Sequence, residues 1–130
     1  MIELGTHYRS SASETERESI RQFYTQVFEC ELRSSDELTS NIPENIDLFI
    51  FSSGHCYGVE FFTDTETALE LEQHYLACWM EISTDDVNSL KQKCLEHGAV
   101  EITDYWDQGH FYFHAPGGQV YRLIDQGEGN

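Results

Sequence analysis

The sequence predicts an α+β fold made of two modules, each with the order strand, helix, strand, strand, strand. Two segments with a helical apolar stripe support this prediction, as do the β-branched and aromatic runs around them. Each helix is preceded by one predicted strand and followed by about three predicted strands. Moving the first helix forward by 67 positions superposes its apolar residues on those of the second. The coinciding pairs are Ile20 with Val87, Phe23 with Leu90, Val27 with Cys94 and Phe28 with Leu95.

One such module leaves an apolar sheet face uncovered, so we expect the two to pack together or against a second chain. The expected arrangement within a single domain, residues 1–130, is a cupped mixed sheet with helices on its outer face. The predicted divisions are module one at about 2–63, a linker at about 64–75, module two at about 76–125 and a frayed tail at 126–130.

In module one, residues 2–9 are a strand candidate, and Ser13 with Glu16 has the spacing of a capping box. The helix that follows carries a continuous apolar face. Residues 36–45 are polar and indicate a loop. The apolar face consists of Ile20, Phe23, Tyr24, Val27 and Phe28, and the later strand candidates are 31–35, 46–52 and 56–63.

Module two begins with a strand at 79–84 whose residues alternate in polarity. Asp85 and Asp86 then indicate a helix start, because carboxylates stabilise free N–H groups and the positive end of the helix dipole. Gly98 indicates the helix end. Three strand candidates follow, at 100–106, 110–114 and 119–125, and the turn 115–118 joins the last two into a hairpin.

Charge and cysteine content exclude several classes of function. The 130 residues include 24 acidic and 7 basic side chains, a net charge of −17, which disfavours nucleic acids and anionic membranes as partners. No apolar run approaches the roughly 18 residues of a membrane span, and the first residues do not have the cationic, apolar pattern of a leader, so we expect neither a membrane span nor a secretory signal. The four cysteines form no CxxC pair, so we expect reduced core thiols in a cytoplasmic protein. These are Cys30, Cys56, Cys78 and Cys94.

The second module resembles the C-terminal module of the vicinal oxygen chelate superfamily, which includes glyoxalases, extradiol dioxygenases and fosfomycin- and bleomycin-resistance proteins. The resemblance lies in TDDVNSLKQKCLEHGAVEI and FYFHAPGGQVYRLID. The segment Phe23-Tyr24-x-x-Val27-Phe28-x-Cys30-x-Leu32 is similar to the first-module helix and its exit. The resemblance implies the fold and a homodimer, but it does not select a reaction, because the superfamily uses one scaffold for many activities.

Metal-dependent members carry one ligand on each of four strands, and the resemblance places two of these positions on Trp79 and Arg122. Neither an indole nor a guanidinium can bind a metal at neutral pH. A third position falls on Glu60, and His7 lies near the fourth. We therefore expect no cofactor and disfavour a divalent metal, with Glu60 and His7 as the weak candidate ligands. In place of the metal we expect an ion pair between Glu60 and Arg122.

Strand alternation assigns further side chains to the open face of the sheet. Trp79 and Glu81 lie on one side of their strand, and the same rule places His110, Tyr112 and His114 on the open side of theirs. Carboxylates among aromatic rings suit a flat, cationic organic ligand. The predicted ligand-binding residues are Trp79, Glu60, Glu81, Tyr112, Arg122, His110, Phe62 and Trp106, with Tyr105 as an alternative rim residue.

The sequence therefore favours a metal-free protein that binds a small cationic or aromatic compound, in the manner of a drug-sequestering protein. One alternative is a superfamily enzyme: a metal-dependent lyase, isomerase or dioxygenase, or a metal-free catalyst using His110 and Glu81 as acid and base. A second alternative is a domain whose pocket has collapsed and which binds a partner instead.

Overall fold

Each half of the chain forms its own compact unit with a four-stranded mixed sheet. The computed structural model describes residues 1–35, 41–64 and 68–128. The chain divides into Met1–Ala68 and Leu69–Asn130, called here the first and second modules, and the division falls inside the stretch 64–75. The α+β class and the two-module organisation are confirmed.

The sheet of the first module has the strand order β1-β4-β3-β2. β1 runs parallel to β4, and the other neighbours are antiparallel. A 3₁₀ turn, Glu14–Glu16, leads into the helix, and the Ser13 hydroxyl accepts the first hydrogen bond of that turn from the Thr15 N–H. The elements are β1 (His7–Ser13), α1 (Arg17–Gln26), β2 (Glu31–Ser34), β3 (Ile46–Ile50) and β4 (Cys56–Phe62).

The apolar face of α1 forms the core of the first module, as its 3.6-residue period predicts. Tyr24 lies at the centre, with its ring 4.9 Å from that of Phe49 and 5.2 Å from that of Tyr57. Ile20, Phe23 and Tyr24 are each only 1% exposed. This packing places alternate side chains of β3 and β4 against the helix.

A buried carboxylate binds the same helix to the sheet. Asp47 on β3 is fully buried and accepts hydrogen bonds from Arg17 at 2.8 and 3.3 Å and from Arg21 at 2.7 and 2.9 Å. The Arg17 guanidinium also lies 4.8 Å from the centre of the Phe61 ring. Burial opposes ionisation of Asp47, but the hydrogen bonds from Arg21 and Arg17 outweigh it and lower the pKa of the carboxyl.

The first strand begins later than the sequence predicts. β1 starts at His7 and continues through Ser10–Ser13, beyond the end of the predicted strand 2–9. The strand continues there because its backbone bonds to β4, and this ladder places Ser11 opposite Glu60. Pairing with a distant strand overrides the weak strand propensity of serine.

The second module repeats the arrangement, with the strand order β5-β8-β7-β6 and β5 parallel to β8. A short helix, α2, begins within the stretch 64–75 that was expected to be a linker. β6 is shorter than the predicted strand 100–106, because residues 103–109 form a loop. The elements are α2 (Leu71–Leu76), β5 (Trp79–Thr84), α3 (Val87–Glu96), β6 (Val100–Ile102), β7 (Phe111–His114) and β8 (Val120–Asp125).

Both ends of α3 follow the sequence prediction. The Asp86 carboxylate accepts a hydrogen bond from the Ser89 N–H at 3.0 Å and caps the first turn. Gly98 has φ +98° after the last turn, a conformation that favours glycine. Cys94 is fully buried, whereas Leu95, predicted to lie on the buried stripe, is 42% exposed. The apolar stripe of α3 is therefore narrower than predicted.

The turn between β7 and β8 is the predicted hairpin, and α2 packs on it. The Gly118 N–H donates to the Ala115 carbonyl at 2.8 Å, and Gly118 has φ +106°. A Cβ atom at this position would lie 2.3 Å from the ring of His74, which is 3% exposed. Glycine is therefore required here both for the backbone conformation and for the close approach of α2.

The end of the chain, the cysteines and the helices can also be compared with the sequence predictions. In the tail predicted to fray, the Gln126 N–H donates to the Thr84 carbonyl at 2.9 Å, and residues 129 and 130 lie outside the described residues. Cys78 is exposed, whereas the other three cysteines are buried, and all four are free thiols. Within the described parts of the chain, no helix is long and apolar enough to cross a membrane.

Candidate functional site

The open face of the second sheet carries an arginine stacked on an indole. In the parallel pair β5–β8, Arg122 lies opposite Glu81, and Trp79 is two residues from Glu81 on the same side of β5. The Arg122 Nε–H donates to Glu81 Oε2 at 3.1 Å, and Nη2 also donates to the same oxygen. The guanidinium carbon lies 4.7 Å from the centre of the Trp79 ring. The Arg122 side chain is thus held by its ion pair with Glu81 and by stacking of its flat guanidinium on the Trp79 ring.

Asp107 connects this arginine to the neighbouring strand. Its Oδ2 atom accepts from the Tyr112 hydroxyl at 3.0 Å and lies 3.4 Å from Arg122 Nη1. Arg122 Nη1 also donates to the Tyr112 hydroxyl at 3.3 Å. Asp107 Oδ1 accepts from the Gly109 N–H at 3.0 Å, which stabilises the turn that presents the carboxylate.

His110 lies between two carboxylates. Its Nδ1 is 2.9 Å from Asp107 Oδ2, and its Nε2 is 2.7 Å from Glu128 Oε2. Both carboxylates accept hydrogen bonds, so the ring is satisfied on both sides only when both nitrogens carry protons. The geometry therefore favours the imidazolium.

The electrostatics of these groups agree with the geometry. Hydrogen bonds from Glu128 and then Asp107 raise the pKa of His110 above its ordinary value. The bond to His110 is the main cause that lowers the pKa of both carboxyls. The bond to Glu81 raises the pKa of Arg122, and burial raises that of Tyr112.

The residues of this site are called here the Arg122 cluster: Trp79, Glu81, Asp107, His110, Tyr112, Arg122 and Glu128.

A row of aromatic rings leads from this cluster toward solvent. The Trp79 ring meets the Tyr112 ring edge-on at 5.6 Å, and Tyr105 lies on Tyr112 with centres 4.4 Å apart. Trp106 follows at 6.1 Å from Tyr105 and is 84% exposed. Tyr75 from α2 supports Tyr105 edge-on at 6.1 Å.

The remaining predicted site residues belong to the first module. Glu60 on β4 forms an ion pair with Arg9 on β1, and Phe62 is half-buried. His7 lies opposite Cys56, four residues along the ladder from Ser11, which faces Glu60. At about 3.3 Å per residue this separates His7 from Glu60 by roughly 13 Å. The β1–β4 register therefore does not bring the two weak candidate metal ligands together.

Within each module, the predicted residues have other polar partners. Glu60 and Arg122 each have a partner within their own module, Arg9 and Glu81 respectively, so the expected Glu60–Arg122 pair remains a prediction. The nitrogens of His110 are bonded to Asp107 and Glu128 rather than to Glu81. The two residues proposed as an acid–base pair are thus engaged with other groups.

The side chains of the Arg122 cluster do not fit a divalent metal ion. The guanidinium has no lone pair to donate at neutral pH, and it already neutralises the carboxylate of Glu81. Both ring nitrogens of His110 favour protonation, which blocks metal coordination. In residues 1–35, 41–64 and 68–128, no group of three or more His, Cys, Asp or Glu side chains is arranged to hold a metal ion.

Sequence reasoning missed Asp107 and Glu128. Asp107 has a visible signal, the Asp-x-Gly pattern typical of a turn that exposes a carboxylate, followed by a histidine three residues later. Glu128 had been assigned to a frayed end. It reaches His110 because its N–H donates to the Asp125 carbonyl at 3.0 Å and its Oε1 accepts from the Asp125 N–H at 3.2 Å.

A groove of about 350 Å³ lies elsewhere on the second module, along the outer side of α3. It contains none of the predicted ligand-binding residues. Its lining consists of Asn88, Lys91, Gln92, Leu95 and Glu96. The Arg122 cluster is therefore distinct from this groove.

Comparison with known proteins identifies the fold. No protein-family model and no curated protein matches the chain. Several solved structures match it over nearly their whole length, with identities too low to show more than the fold. A possible glyoxalase from Bacillus cereus is 13% identical, with 94% of this chain and 99% of that chain covered and a TM-score of 0.63.

Two further matches also cover at least nine-tenths of both chains. A glyoxalase/bleomycin resistance protein/dioxygenase family enzyme from Burkholderia phytofirmans PsJN is 16% identical, covering 92% of this chain and 96% of that chain, at a TM-score of 0.63. A variant of the fosfomycin resistance protein FosX from Listeria monocytogenes was solved in complex with Mn(II) and 1S,2S-dihydroxypropylphosphonic acid. It is 15% identical, with 95% of this chain and 90% of that chain covered and a TM-score of 0.63. The chain thus has the vicinal oxygen chelate fold expected from its sequence.

Proposed function

We propose that this protein binds a small, planar, positively charged organic compound at the Arg122 cluster, without a metal ion and without converting it chemically. The observation that carries the proposal is the position of Arg122. A guanidinium is itself a planar, delocalised cation, and here it lies on Trp79 with its N–H groups directed at Glu81 and Asp107. These surroundings are the ones that an organic cation requires.

The Arg122 cluster carries one negative charge that is not compensated. Glu81, Asp107 and Glu128 carry three negative charges, and Arg122 with a protonated His110 supplies only two positive charges. Trp79 is 37% exposed even though the Arg122 guanidinium covers part of its ring. A cationic ring that stacks on the accessible part of Trp79 would neutralise the remaining charge, and the net charge of −17 attracts it from a distance.

Binding is favoured over acid–base catalysis by the hydrogen bonds of His110. A general acid or base needs a nitrogen within reach of the substrate, and both nitrogens of this ring already contact carboxylates. The names of the matched drug-resistance proteins agree with a small-molecule ligand. A homodimer and a cytoplasmic location remain predictions.

Titration with benzamidinium, a planar cation, and with benzamide, its neutral counterpart, tests the proposal. We expect quenching of tryptophan fluorescence and a higher melting temperature with the cation alone. Trp79→Ala should abolish the response, while Val100→Ala, at an exposed site of the same module, should preserve it. Equal binding of benzamide, or full binding by Trp79→Ala, would contradict the proposal.

Metal independence is tested separately. Addition of one equivalent of Mn²⁺, Fe²⁺, Ni²⁺ or Zn²⁺ should leave the melting temperature and the benzamidinium titration unchanged, because the cluster lacks a fitting donor set. A large stoichiometric stabilisation by any of these ions would overturn this part of the proposal.

A further inference from the structure

We infer that the bound compound carries two planar groups and that Trp106 holds the second one. The inference rests on the proposed function of the Arg122 cluster and specifies the ligand more closely: two aromatic rings, at least one of them cationic, joined by a linker. Trp79 would stack on the inner ring and Trp106 on the outer ring.

The exposure of Trp106 is the first observation. Trp106 is 84% exposed, whereas Tyr112, two rings further along the row, is 1% exposed. Leaving an aromatic side chain in water forgoes the stabilisation that its burial would give. A bound ring on this indole would recover part of that stabilisation.

The second observation is that the loop presenting Trp106 is held in place. The next residue, Asp107, is bonded to Tyr112 and His110. The Gln108 side-chain amide donates to the carbonyl of Thr103 at 3.3 Å and to that of Tyr105. Because these bonds fix the loop on both sides of the indole, the ligand would meet a surface that needs little ordering on binding.

Continuity with the cluster is the third observation. From Trp79 to Trp106 the rings follow one another through Tyr112 and Tyr105, in steps of 5.6, 4.4 and 6.1 Å. Tyr112 is buried and Tyr105 is half-buried, so a compound with a flexible linker would pass over Tyr105 to contact both indoles. Asp104, which is exposed and lies two residues before Trp106 in the chain, favours a positive charge on the outer ring as well.

Two probes separate the two positions: benzamidinium, with one ring, and pentamidine, in which a five-carbon chain joins two benzamidinium rings. Trp106→Ala should weaken pentamidine binding by about three- to tenfold, the loss expected for one aromatic contact. Its effect on benzamidinium should be less than twofold. Trp79→Ala should weaken both compounds, and Leu76→Ala, at another exposed apolar site, should affect neither.

The outcomes distinguish the inference from the function on which it rests. If both compounds bind and Trp106→Ala changes their affinities equally or not at all, the second position is refuted while the proposed function stands. If neither compound binds at millimolar concentration, both are refuted. The melting temperature of unliganded Trp106→Ala should equal that of the parent protein, because the side chain is exposed, so misfolding would be recognised independently.

Discussion

The guanidinium of Arg122 lies 4.7 Å from the centre of the Trp79 ring, and it is held there by the carboxylate opposite it on the parallel strand. The first module contains a related pair, Arg9 on β1 with Glu60 on β4. In the second module the order is reversed, with the carboxylate on β5 and the arginine on β8. Each open sheet face thus carries an arginine–glutamate pair across its parallel strands.

Replacing Arg122 by alanine should leave a cavity that is complementary to a guanidinium in shape and charge, because Glu81 and Asp107 line it. We expect a loss of about 1 kcal/mol in unfolding free energy, since the ion pair is partly solvated. Millimolar guanidinium should restore part of it, and equimolar tetramethylammonium should not, because it lacks N–H donors. Chemical denaturation in urea measures both effects. Arg33→Ala, at a more exposed ion pair, is the control and should show no rescue.

Asp47→Asn should destabilise the first module by about 3 kcal/mol, because two arginines lose their shared buried counter-charge. Glu31→Gln, which alters an exposed pair, should cost less than about 0.5 kcal/mol. Since the folded-state pKa of Asp47 is lowered, its contribution is present above the unfolded-state value and is lost as the pH falls through the folded-state value. Urea denaturation between pH 7 and pH 3 should show this loss in the parent protein and not in Asp47→Asn.

Gly118→Ala should destabilise the second module more than Gly127→Ala does. Both positions have positive φ, +106° and +88°, so both variants incur about 1 kcal/mol of backbone strain. Only at Gly118 would the new methyl group meet the His74 ring, which adds about 1–3 kcal/mol of overpacking. Equal melting temperatures for the two variants would show that the contact with His74 is unimportant.

Two histidines should give opposite pH dependences of stability. Burial, with a smaller effect of His114, lowers the pKa of His74, so its contribution is present above pH 6.5 and is lost as the pH falls through that value toward the folded-state pKa. The pKa of His110 is raised, so its contribution is full below pH 6.5 and is lost as the pH rises through the folded-state value. Melting temperatures measured from pH 5 to pH 8 check both trends. His74→Gln should lack the loss of stability at falling pH, and His110→Gln should lack the loss at rising pH.

Only one cysteine should react rapidly with a thiol reagent in the native protein. Burial raises the pKa of Cys30 and of Cys94 to about 12 and also raises that of Cys56, so these thiols carry little thiolate at pH 8. Cys78 is exposed. Titration with dithiobisnitrobenzoate should reveal one fast thiol that Cys78→Ser removes. A fast phase that persists in this variant would contradict the burial of the other three.

Much of the site could be predicted because its members follow local periodicities. The two-residue period of a strand places Trp79 and Glu81 on one face, and the short hairpin brings Tyr112 opposite Arg122. The helix positions follow from the 3.6-residue period and from the capping residues Asp86 and Gly98. These relationships span few residues, so the sequence by itself determines them.

The choice of partners was decided only by the tertiary structure. The pairing of Arg122 with Glu81 depends on the register of two parallel strands 41 residues apart in sequence, and the register of β1 likewise separates His7 from Glu60. Asp107 and Glu128 reach His110 through a loop and a chain segment that have no periodicity. Alternation specifies the face on which a side chain lies, whereas its contacts depend on long-range backbone hydrogen bonds that no local pattern encodes.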